Sequence, residues 1–505
     1  MTKNSKPNIL LITSDQQHWM TLGYNNPEIN TPNLDRLARA GVIFDRAYCP
    51  NPTCTPTRSS ILTGMYPSQH GAYSLGTKLH ESVPTVNDVW REHGYKTALV
   101  GKAHFQPLRS TEAYPSLESY PILQDLAFWK DFNGPFYGFD DFKLARNHAD
   151  EAHVGQHYAL WLEEKGITNW RDYFQRKTGN AEPQYGAWNI PEEYHYNAWI
   201  SECTNELMEN YVENGAPFFL WSSYFDPHPP YLVPEPWASM YDPDRLTLPE
   251  GLEGEHENNP LFHKLSQLNN PELKALGLAT DTYLHGVHSH LHSEQAKRQD
   301  MAIYYGMVSC MDHYIGKTLD KIEELGIADN TLITFTSDHG HYFGQHNLTA
   351  KGPFHYEDGV KVPLIISWPG QTPQGVRSDA LQSLVDLPVS FLAAAGLDRP
   401  NCMTGVDQLD VWLGNHDEAR DHCIVENNHE PGVCELKTYI EANYKITVYR
   451  NFSEGELFDL KNDPGEFQNR FNDPAYADIK ARLLQRFLQA EMAKEVLPMP
   501  RVSGA

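Results

Sequence analysis

Cys54 lies in the sequence setting that most favours chemistry in this chain. It begins the stretch 54–58 (Cys-Thr-Pro-Thr-Arg), a loop that runs into a predicted helix ending at Gly64. The backbone amides at the start of a helix attract negative charge, so we expect an anionic group beside residue 54. Taken alone, these five residues are explained equally well by a buried cysteine in a proline-containing turn.

Two residue pairs that each begin with an aspartate, Asp15-Gln16 and Asp338-His339, supply candidate metal ligands. They lie more than 300 residues apart, yet each pair directly follows a predicted strand. Carboxylate and amide oxygens suit a hard cation such as Ca²⁺ or Mg²⁺, and an imidazole ligand shifts the balance toward Mn²⁺. We expect one divalent cation where the two pairs meet, with Ca²⁺ as the first candidate.

Four basic side chains, Lys102, His104, His228 and Lys351, are candidates for binding an anionic substrate. Taken singly, each is explained as a surface lysine or as a hydrogen-bonded structural histidine. The chain carries a formal charge of −26, so an anionic substrate needs a locally positive pocket. Together the four side chains would supply one.

Alternating strands and helices must carry these residues to one place. The run 9–12 (Ile-Leu-Leu-Ile) is typical of a strand buried on both faces, and it is followed by a predicted helix that ends at Gly41. The further predicted strands are 42–44, 97–100, 218–222 and 332–336, and the further predicted helices are 86–93, 202–211 and 296–325. This order predicts an α/β fold with a doubly wound, mostly parallel sheet. The reactive groups of such sheets collect at the carboxyl ends of the strands, where most of the residues named above fall.

The domain organisation follows from where this alternation weakens. We expect one catalytic α/β domain over residues 1–400 and a C-terminal subdomain over 401–505. Within the first, segments 105–200 and 230–295 have weak periodicity, and we interpret them as insertions that shape the substrate pocket. In the second, short strands and a helix at about 474–492 predict a small antiparallel sheet capped by a helix.

Composition narrows the function classes. Hydrophobic residues make up 40% and charged residues 21%, as in globular proteins, and no apolar run approaches the roughly 20 residues that cross a bilayer. The 7 cysteines form no Cys-x-x-Cys pair, so neither a disulfide framework nor a zinc-thiolate site is indicated. The negative charge disfavours nucleic acid and anionic membranes as partners. No secretory signal is visible, which predicts a cytoplasmic location if Met1 is the natural start, and a periplasmic or secreted one if a leader was removed.

The stretch 54–71 (Cys-Thr-Pro-Thr-Arg-Ser-Ser-Ile-Leu-Thr-Gly-Met-Tyr-Pro-Ser-Gln-His-Gly) resembles the signature of the type I, formylglycine-dependent sulfatases of the alkaline phosphatase superfamily. The resemblance implies an alkaline-phosphatase-like three-layer sandwich. It also implies that a formylglycine-generating enzyme oxidises Cys54 to formylglycine. The hydrate of that aldehyde attacks sulfur, and its second hydroxyl then expels sulfate by restoring the aldehyde.

The resemblance also assigns roles to single residues. It places Asp15, Gln16, Cys54, Asp338 and His339 at the metal, and Arg58 on the formylglycine side chain. It places Lys102 on the sulfate group, Lys351 and His228 near the leaving group, and His104 beside the formylglycine as the base of the elimination step. Two residues depart from the pattern of many sulfatases, which have Asp in place of Gln16 and Asn in place of His339. The Gln and His pair is similar to the arrangement in phosphonate monoester hydrolases.

We therefore expect a hydrolase of sulfate monoesters, with a carbohydrate sulfate as the substrate. Two alternatives stay open, a phosphonate monoester or phosphodiester hydrolase with the same site and an inactive, sugar-binding homologue. Oligomeric state is also open. Five histidines are candidates for lining a sugar pocket, each with a structural role as the alternative: His148, His153, His195, His346 and His355.

Overall fold

The hydrophobic strand near the N-terminus, β1 (Asn8–Ser14), lies inside an eight-stranded sheet and is buried along its whole length. The computed structural model of the protein describes residues 6–146, 154–174, 185–268, 292–430 and 434–496. Parallel neighbours flank β1 on both sides, β7 (Phe218–Ser223) and β9 (Thr331–Ser337). A strand in this position must be apolar on both faces, which is why it shows a continuous hydrophobic run.

The sheet order is β14-β2-β13-β9-β1-β7-β4-β5, and only β13 runs against the other strands. The remaining strands of this sheet are β2 (Val42–Phe44), β4 (Lys96–Gly101), β5 (Asp141–Leu144), β13 (Leu364–Ser367) and β14 (Val376–Ser378). Smaller pairings involve β3 (Ala47–Tyr48), β6 (Tyr185–Ala187), β8 (Tyr231–Val233), β10 (Tyr342–Phe343), β11 (Thr349–Ala350), β12 (Lys361–Val362) and β15 (Gln382–Ser383). The mostly parallel sheet confirms the fold that the alternation of strands and helices predicts.

Helices cover both faces of the sheet and complete three layers. One face packs on α1 (Pro32–Ala40), α7 (Tyr196–Glu213) and α9 (Glu294–Glu324), and the other on α2 (Cys54–Thr63), α4 (Val86–Glu92) and α11 (Leu387–Ala394). The other helices are α3 (Pro67–His70), α5 (Leu126–Asp131), α6 (Gln156–Glu164), α8 (Leu261–Ser266), α10 (Glu357–Val360), α12 (Leu409–Trp412) and α13 (Ala477–Ala493). Alternate residues of β1 belong to the two hydrophobic clusters, as the period of two in a strand requires. In the described part of the chain, no helix has the length and apolar character needed to span a membrane.

A second, antiparallel sheet follows near the C-terminus. Its four strands are β16 (Cys423–Glu430), β17 (Cys434–Ile440), β18 (Tyr444–Tyr449) and β19 (Gly455–Asp459), paired in that order. Leu483 and Phe487 of α13 pack with Ile446 and Leu457 in one apolar cluster of this sheet. The sheet and its helix match the predicted architecture of this part of the chain.

The segment 105–200 contributes more to the core than its weak periodicity indicates. It contains β5, which is the edge strand of the main sheet next to β4. Its aromatic residues Trp129, Trp188 and Trp199 are 1%, 5% and 0% exposed, so they are core residues rather than open stacking surfaces.

Lys445 connects the C-terminal sheet to α10, a short helix that lies between β9 and β13 in the sequence. This lysine of β18 is fully buried, its Nζ lies 3.1 Å from Glu357 Oε1, and it also pairs with Glu466. Burial raises the pKa of Glu466 to about 8, whereas at Glu357 the charges of Lys445 and Lys361 outweigh burial and lower the pKa.

We predict that Lys445→Met lowers the free energy of unfolding at pH 7 by about 3–5 kcal/mol, because it removes the buried ammonium that pairs with both Glu357 and Glu466. The midpoint of urea unfolding, followed by tryptophan fluorescence, measures the loss. Lys437→Met is the matched control, since this lysine of β17 pairs with Glu426 and Glu491 but is 32% exposed. It should cost about 1 kcal/mol or less. Equal losses for the two variants would contradict the prediction.

Candidate active site

Four neighbouring strands deliver polar residues to one edge of the main sheet. Asp15 follows β1, Lys102 follows β4, His228 lies five residues beyond β7, and Asp338 follows β9. These four strands are adjacent and parallel, so their carboxyl ends meet at the same edge. The structure thus brings together residues that are far apart in the sequence, as the topology of the predicted sheet requires.

Cys54 is the first residue of α2, and its fully buried side chain lies at the centre of this group. Its Sγ is 3.2 Å from His339 Nε2, 3.3 Å from Lys351 Nζ, 3.4 Å from Asp15 Oδ1 and 3.7 Å from Lys102 Nζ. Burial and Asp15 oppose ionisation of the thiol, but Lys102 and Lys351 outweigh them and lower the pKa of Cys54. The surroundings of residue 54 therefore stabilise negative charge.

Asp15, Cys54, Asp338 and His339 each offer one ligand atom, and these four atoms lie within 4.8 Å of one another. His339 Nδ1 donates to the carbonyl of Gly340 at 2.9 Å, which leaves Nε2 facing the cluster. This tautomer is the one that metal-binding histidines adopt when the second nitrogen is held by a backbone carbonyl. Burial favours the neutral ring, but Asp338 and Cys54 outweigh it and raise the pKa of His339.

Gln16 directly follows Asp15 and is fully buried, and its backbone amide donates to Asp338 Oδ1 at 2.9 Å. Its Nε2 donates to His341 Nδ1 at 2.9 Å, while its buried Oε1 accepts no hydrogen bond from any residue that the structure describes. A buried polar atom without a partner is costly unless a ligand or a water satisfies it. The unsatisfied oxygen, the two carboxylates and the oriented imidazole fit a divalent cation.

Arg58 and Asp338 form a fully buried ion pair beneath Cys54. Arg58 Nε donates to Asp338 Oδ2 at 2.8 Å, and Nη1 donates to the carbonyl of Lys102 at 3.0 Å and to Ser223 Oγ at 2.7 Å. Arg58 Nη2 is buried and has no hydrogen-bond partner among the described residues. The guanidinium thus ties the ends of β4, β7 and β9 together and keeps one donor available.

Lys351 and His228 form the second basic part of the site. Lys351 Nζ lies 3.0 Å from His228 Nε2, and His228 Nδ1 lies 2.6 Å from the carbonyl of Pro229. Since an ammonium only donates, Nε2 must accept and the proton of His228 sits on Nδ1. Because a carbonyl only accepts, the bond to Pro229 holds His228 in this tautomer.

His104 has two partners that the sequence did not reveal. Arg146, 3% exposed, donates to His104 Nε2 and pairs with Glu118 at 2.7 Å, and Glu118 also accepts the backbone amides of residues 104–106. Burial, followed by the charges of Arg146, Lys102 and Arg58, lowers the pKa of His104 well below its ordinary value. A signal for Arg146 did exist, since it comes two residues after β5, whose carboxyl end lies at the same edge of the sheet.

Of the five histidines considered as sugar ligands, the three that the structure describes have their contacts outside this cluster. His195 caps α7 by accepting from the amide of Asn197, His355 contacts Thr438 at 2.7 Å, and His346 stacks on Tyr356 with ring centroids 3.6 Å apart. Each of these three rings is buried. His148 and His153 lie outside the described residues. Contact of any of these five residues with a substrate stays a prediction.

Known protein families match this chain over almost its whole length. A family model described as Sulfatase matches residues 7–397, and one described as N-sulphoglucosamine sulphohydrolase, C-terminal, matches residues 344–493. An arylsulfatase of Clostridium perfringens is 29% identical over 481 residues, which cover 94% of this chain and 92% of that protein. An N-acetylglucosamine-6-O-sulfatase of Bacteroides thetaiotaomicron is 24% identical over 536 residues, covering 96% and 86%.

The solved structure of a phosphonate monoester hydrolase from Silicibacter pomeroyi superposes with a TM-score of 0.78, at 25% identity, over 97% of this chain and 96% of that one. Sulfatases and phosphonate monoester hydrolases thus share this fold. Since the Sulfatase model matches well over half of the chain, this protein belongs to the sulfatase family, within the alkaline phosphatase superfamily.

Proposed function

We propose that this protein hydrolyses a sulfate monoester of a carbohydrate, with formylglycine at position 54 as the nucleophile and one divalent cation beside it. One observation supports this proposal above the others: Cys54 Sγ lies within 3.7 Å of two candidate cation ligands, Asp15 and His339, and of two lysines, Lys102 and Lys351. An oxygen at that position would face cation ligands and substrate-binding cations together.

The residues around Cys54 fit the requirements of a sulfate group. Lys102 and Lys351 converge on one point from different parts of the sheet edge, so two ammonium groups can hold the oxygens of a tetrahedral anion there. Arg58 Nη2 adds a buried donor without a described partner, which suits a hydroxyl of the formylglycine hydrate. The hydrate supplies the oxygen nucleophile when the residue is modified.

Asp15, Gln16, Asp338 and His339 would hold the cation, with the residue at position 54 as a further ligand. When bound, a divalent cation would stabilise negative charge on the oxygens of the reacting group and lower the pKa of the nucleophile. The donor set is rich in oxygen and suits Ca²⁺, Mg²⁺ or Mn²⁺. Lys102 pairs with Asp15 and Arg58 pairs with Asp338, so a buried cation holds each carboxylate in place.

Proton transfers fall to Lys351 and His104. As an ammonium, Lys351 donates to His228 and can pass a proton to the leaving oxygen while His228 keeps it aimed. His104 is neutral and can accept a proton from the formylglycine hydroxyl as sulfate departs. Arg146 would have to release Nε2 at that moment, and its charge would then favour rapid loss of the proton from the ring.

Carbohydrate sulfates are proposed on the strength of the relatives. One relative is named for N-acetylglucosamine 6-O-sulfate, and the second family model is named for an N-sulphoglucosamine sulphohydrolase. Hydrolysis of phosphonate monoesters is the second candidate function. Gln16 and His339 favour it, together with the overall likeness to a phosphonate monoester hydrolase.

We predict that the peptide containing residue 54 is about 18 Da lighter than the cysteine form when the protein is co-expressed with a formylglycine-generating enzyme. Cys54→Ala should lower kcat for 4-nitrophenyl sulfate by about 10⁴-fold or more, because the nucleophile is lost. Cys203→Ala is the matched control, since Cys203 is also buried but lies in α7. Turnover by Cys54→Ala equal to that of the modified wild type would contradict the assignment.

We predict a higher kcat/KM for 4-nitrophenyl sulfate than for the 4-nitrophenyl ester of phenylphosphonate. Two ammonium groups and a donor-rich pocket suit a group with three free oxygens, whereas a phosphonate monoester carries an organic substituent in place of one of them. Release of free sulfate from a panel of sulfated mono- and disaccharides then identifies the substrate class. A clear preference for the phosphonate would establish the second candidate instead.

We predict that Arg146→Met moves the acid limb of the kcat profile to higher pH. His104 must be unprotonated to act, and removing the neighbouring positive charge raises its pKa, so activity is lost earlier as the pH falls. Arg146→Lys retains a positive charge and should show little of this shift. Arg420→Met is the control, because Arg420 is equally buried but pairs with Asp386 and Tyr66. Identical profiles for wild type and Arg146→Met would refute the role of Arg146.

A further inference from the structure

Gln16 differs from its neighbours at the proposed cation site in having two chemically different ends. Asp15 and Asp338 present an oxygen whichever way their carboxylates turn. An amide presents either an oxygen, which binds a hard cation, or an NH₂ group, which repels one. The orientation of the Gln16 amide must therefore be fixed by a hydrogen bond with a neighbouring group.

His341 is the residue that can fix this orientation. Its Nδ1 lies 2.9 Å from Gln16 Nε2, and both side chains are buried. Because an amide nitrogen only donates, His341 Nδ1 accepts and its ring proton is on Nε2. That nitrogen lies 3.2 Å from the hydroxyl of Tyr231.

Aromatic packing holds the ring of His341 in this orientation. Tyr304 stacks on it with ring centroids 4.9 Å apart, and the ring centroid of Phe343 lies 4.6 Å away. Both ring nitrogens thus have hydrogen-bond partners and the ring itself is packed between aromatic neighbours. A ring held in this way presents one fixed acceptor to Gln16.

The backbone of Gln16 is fixed as well. Its φ is 62°, in the left-handed region, its amide donates to Asp338 Oδ1 at 2.9 Å, and its carbonyl accepts from Tyr304 at 2.7 Å. Only the side chain is left to turn. The orientation of its amide therefore depends on His341, since no other described residue bonds to either amide atom.

We propose that His341, held by Tyr231, is a positioning residue that keeps the amide oxygen of Gln16 directed at the cation. This inference rests on the proposed function for the presence of a cation, but not for the identity of the substrate. It assigns to His341 a role in cation affinity and none in contact with the substrate. If position 16 carried a carboxylate, a histidine at position 341 would not be needed to orient it, because both carboxylate oxygens can bind a cation.

The test is a double-mutant cycle read out by cation binding. Wild-type protein co-expressed with a formylglycine-generating enzyme is stripped with EDTA and titrated calorimetrically with Ca²⁺, Mg²⁺ and Mn²⁺. His341→Phe, which keeps an aromatic ring but removes the acceptor, should weaken binding of the preferred cation about 10- to 100-fold. Tyr231→Phe should weaken it by a smaller factor in the same direction.

The second arm of the cycle uses Gln16→Glu, which has the same length but two equivalent oxygens. In this background His341→Phe should change the affinity by less than about threefold, because a carboxylate needs no orienting partner. His256→Phe is the matched control, since it removes another buried histidine, whose Nε2 lies 2.8 Å from the carbonyl of His346. It should leave cation binding unchanged. Thermal unfolding of each variant confirms that it is folded.

Equal losses for His341→Phe in the wild-type and Gln16→Glu backgrounds would overturn the inference, because His341 would then act only through packing. So would unchanged affinity for both His341→Phe and Tyr231→Phe. Tyr231→Phe keeps the test decisive if His341→Phe does not fold. Because no substrate is present, the proposed sulfate chemistry can fail while the cycle holds, whereas a wild type that binds no divalent cation refutes both.

Discussion

Burying opposite charges together at the edge of the sheet is the constraint on which the rest of this site depends. Asp15, Asp338, Arg58 and Lys102 are all fully buried, where an isolated charge would be very costly. Pairing Arg58 with Asp338 and Lys102 with Asp15 removes most of that cost. The same pairs hold each charged group in one orientation, so they stabilise the fold and preorganise the site together.

The sheet makes this pairing geometrically feasible. Asp15 follows β1 and Lys102 follows β4, two parallel strands on either side of β7, so both residues reach the same edge, and close contact between neighbouring strands keeps them there. Gly101 shows how tight that contact is, since its φ is 102° and a Cβ added to it would lie 1.9 Å from the carbonyl oxygen of Ser223. Only glycine fits, and Lys102 follows it directly, with its amide bonded to that same carbonyl at 3.0 Å.

The fold and the meeting of the charged residues could be predicted from the sequence because both depend on local patterns. A continuous apolar run followed by Asp15 indicates a central strand with a polar end. The carboxyl ends of parallel strands meet at one edge of the sheet, which predicts that Asp15 lies near the polar residues that follow the other strands. The partners of His104 could not be found in this way. Glu118 lies in a loop without periodicity, and Arg146 follows β5, a short strand inside a segment that looked like an insertion. Contacts of this kind are set by three-dimensional packing, which leaves no periodic signal in the chain.

Gln16 changes the net charge of the proposed cation site, but that charge does not determine which ester the site prefers. With Gln16 in place of an aspartate, the site has one negative charge fewer, so it is more attractive to any anion. Sulfate monoesters and phosphonate monoesters are both singly charged at neutral pH, and the added positive potential therefore strengthens binding of both. Discrimination must come from the arrangement of donors, and the separate approach of Lys102 and Lys351 to residue 54 favours a group with more free oxygens. In this view Gln16 sets how strongly the site attracts an anion, and the lysines set which anion fits.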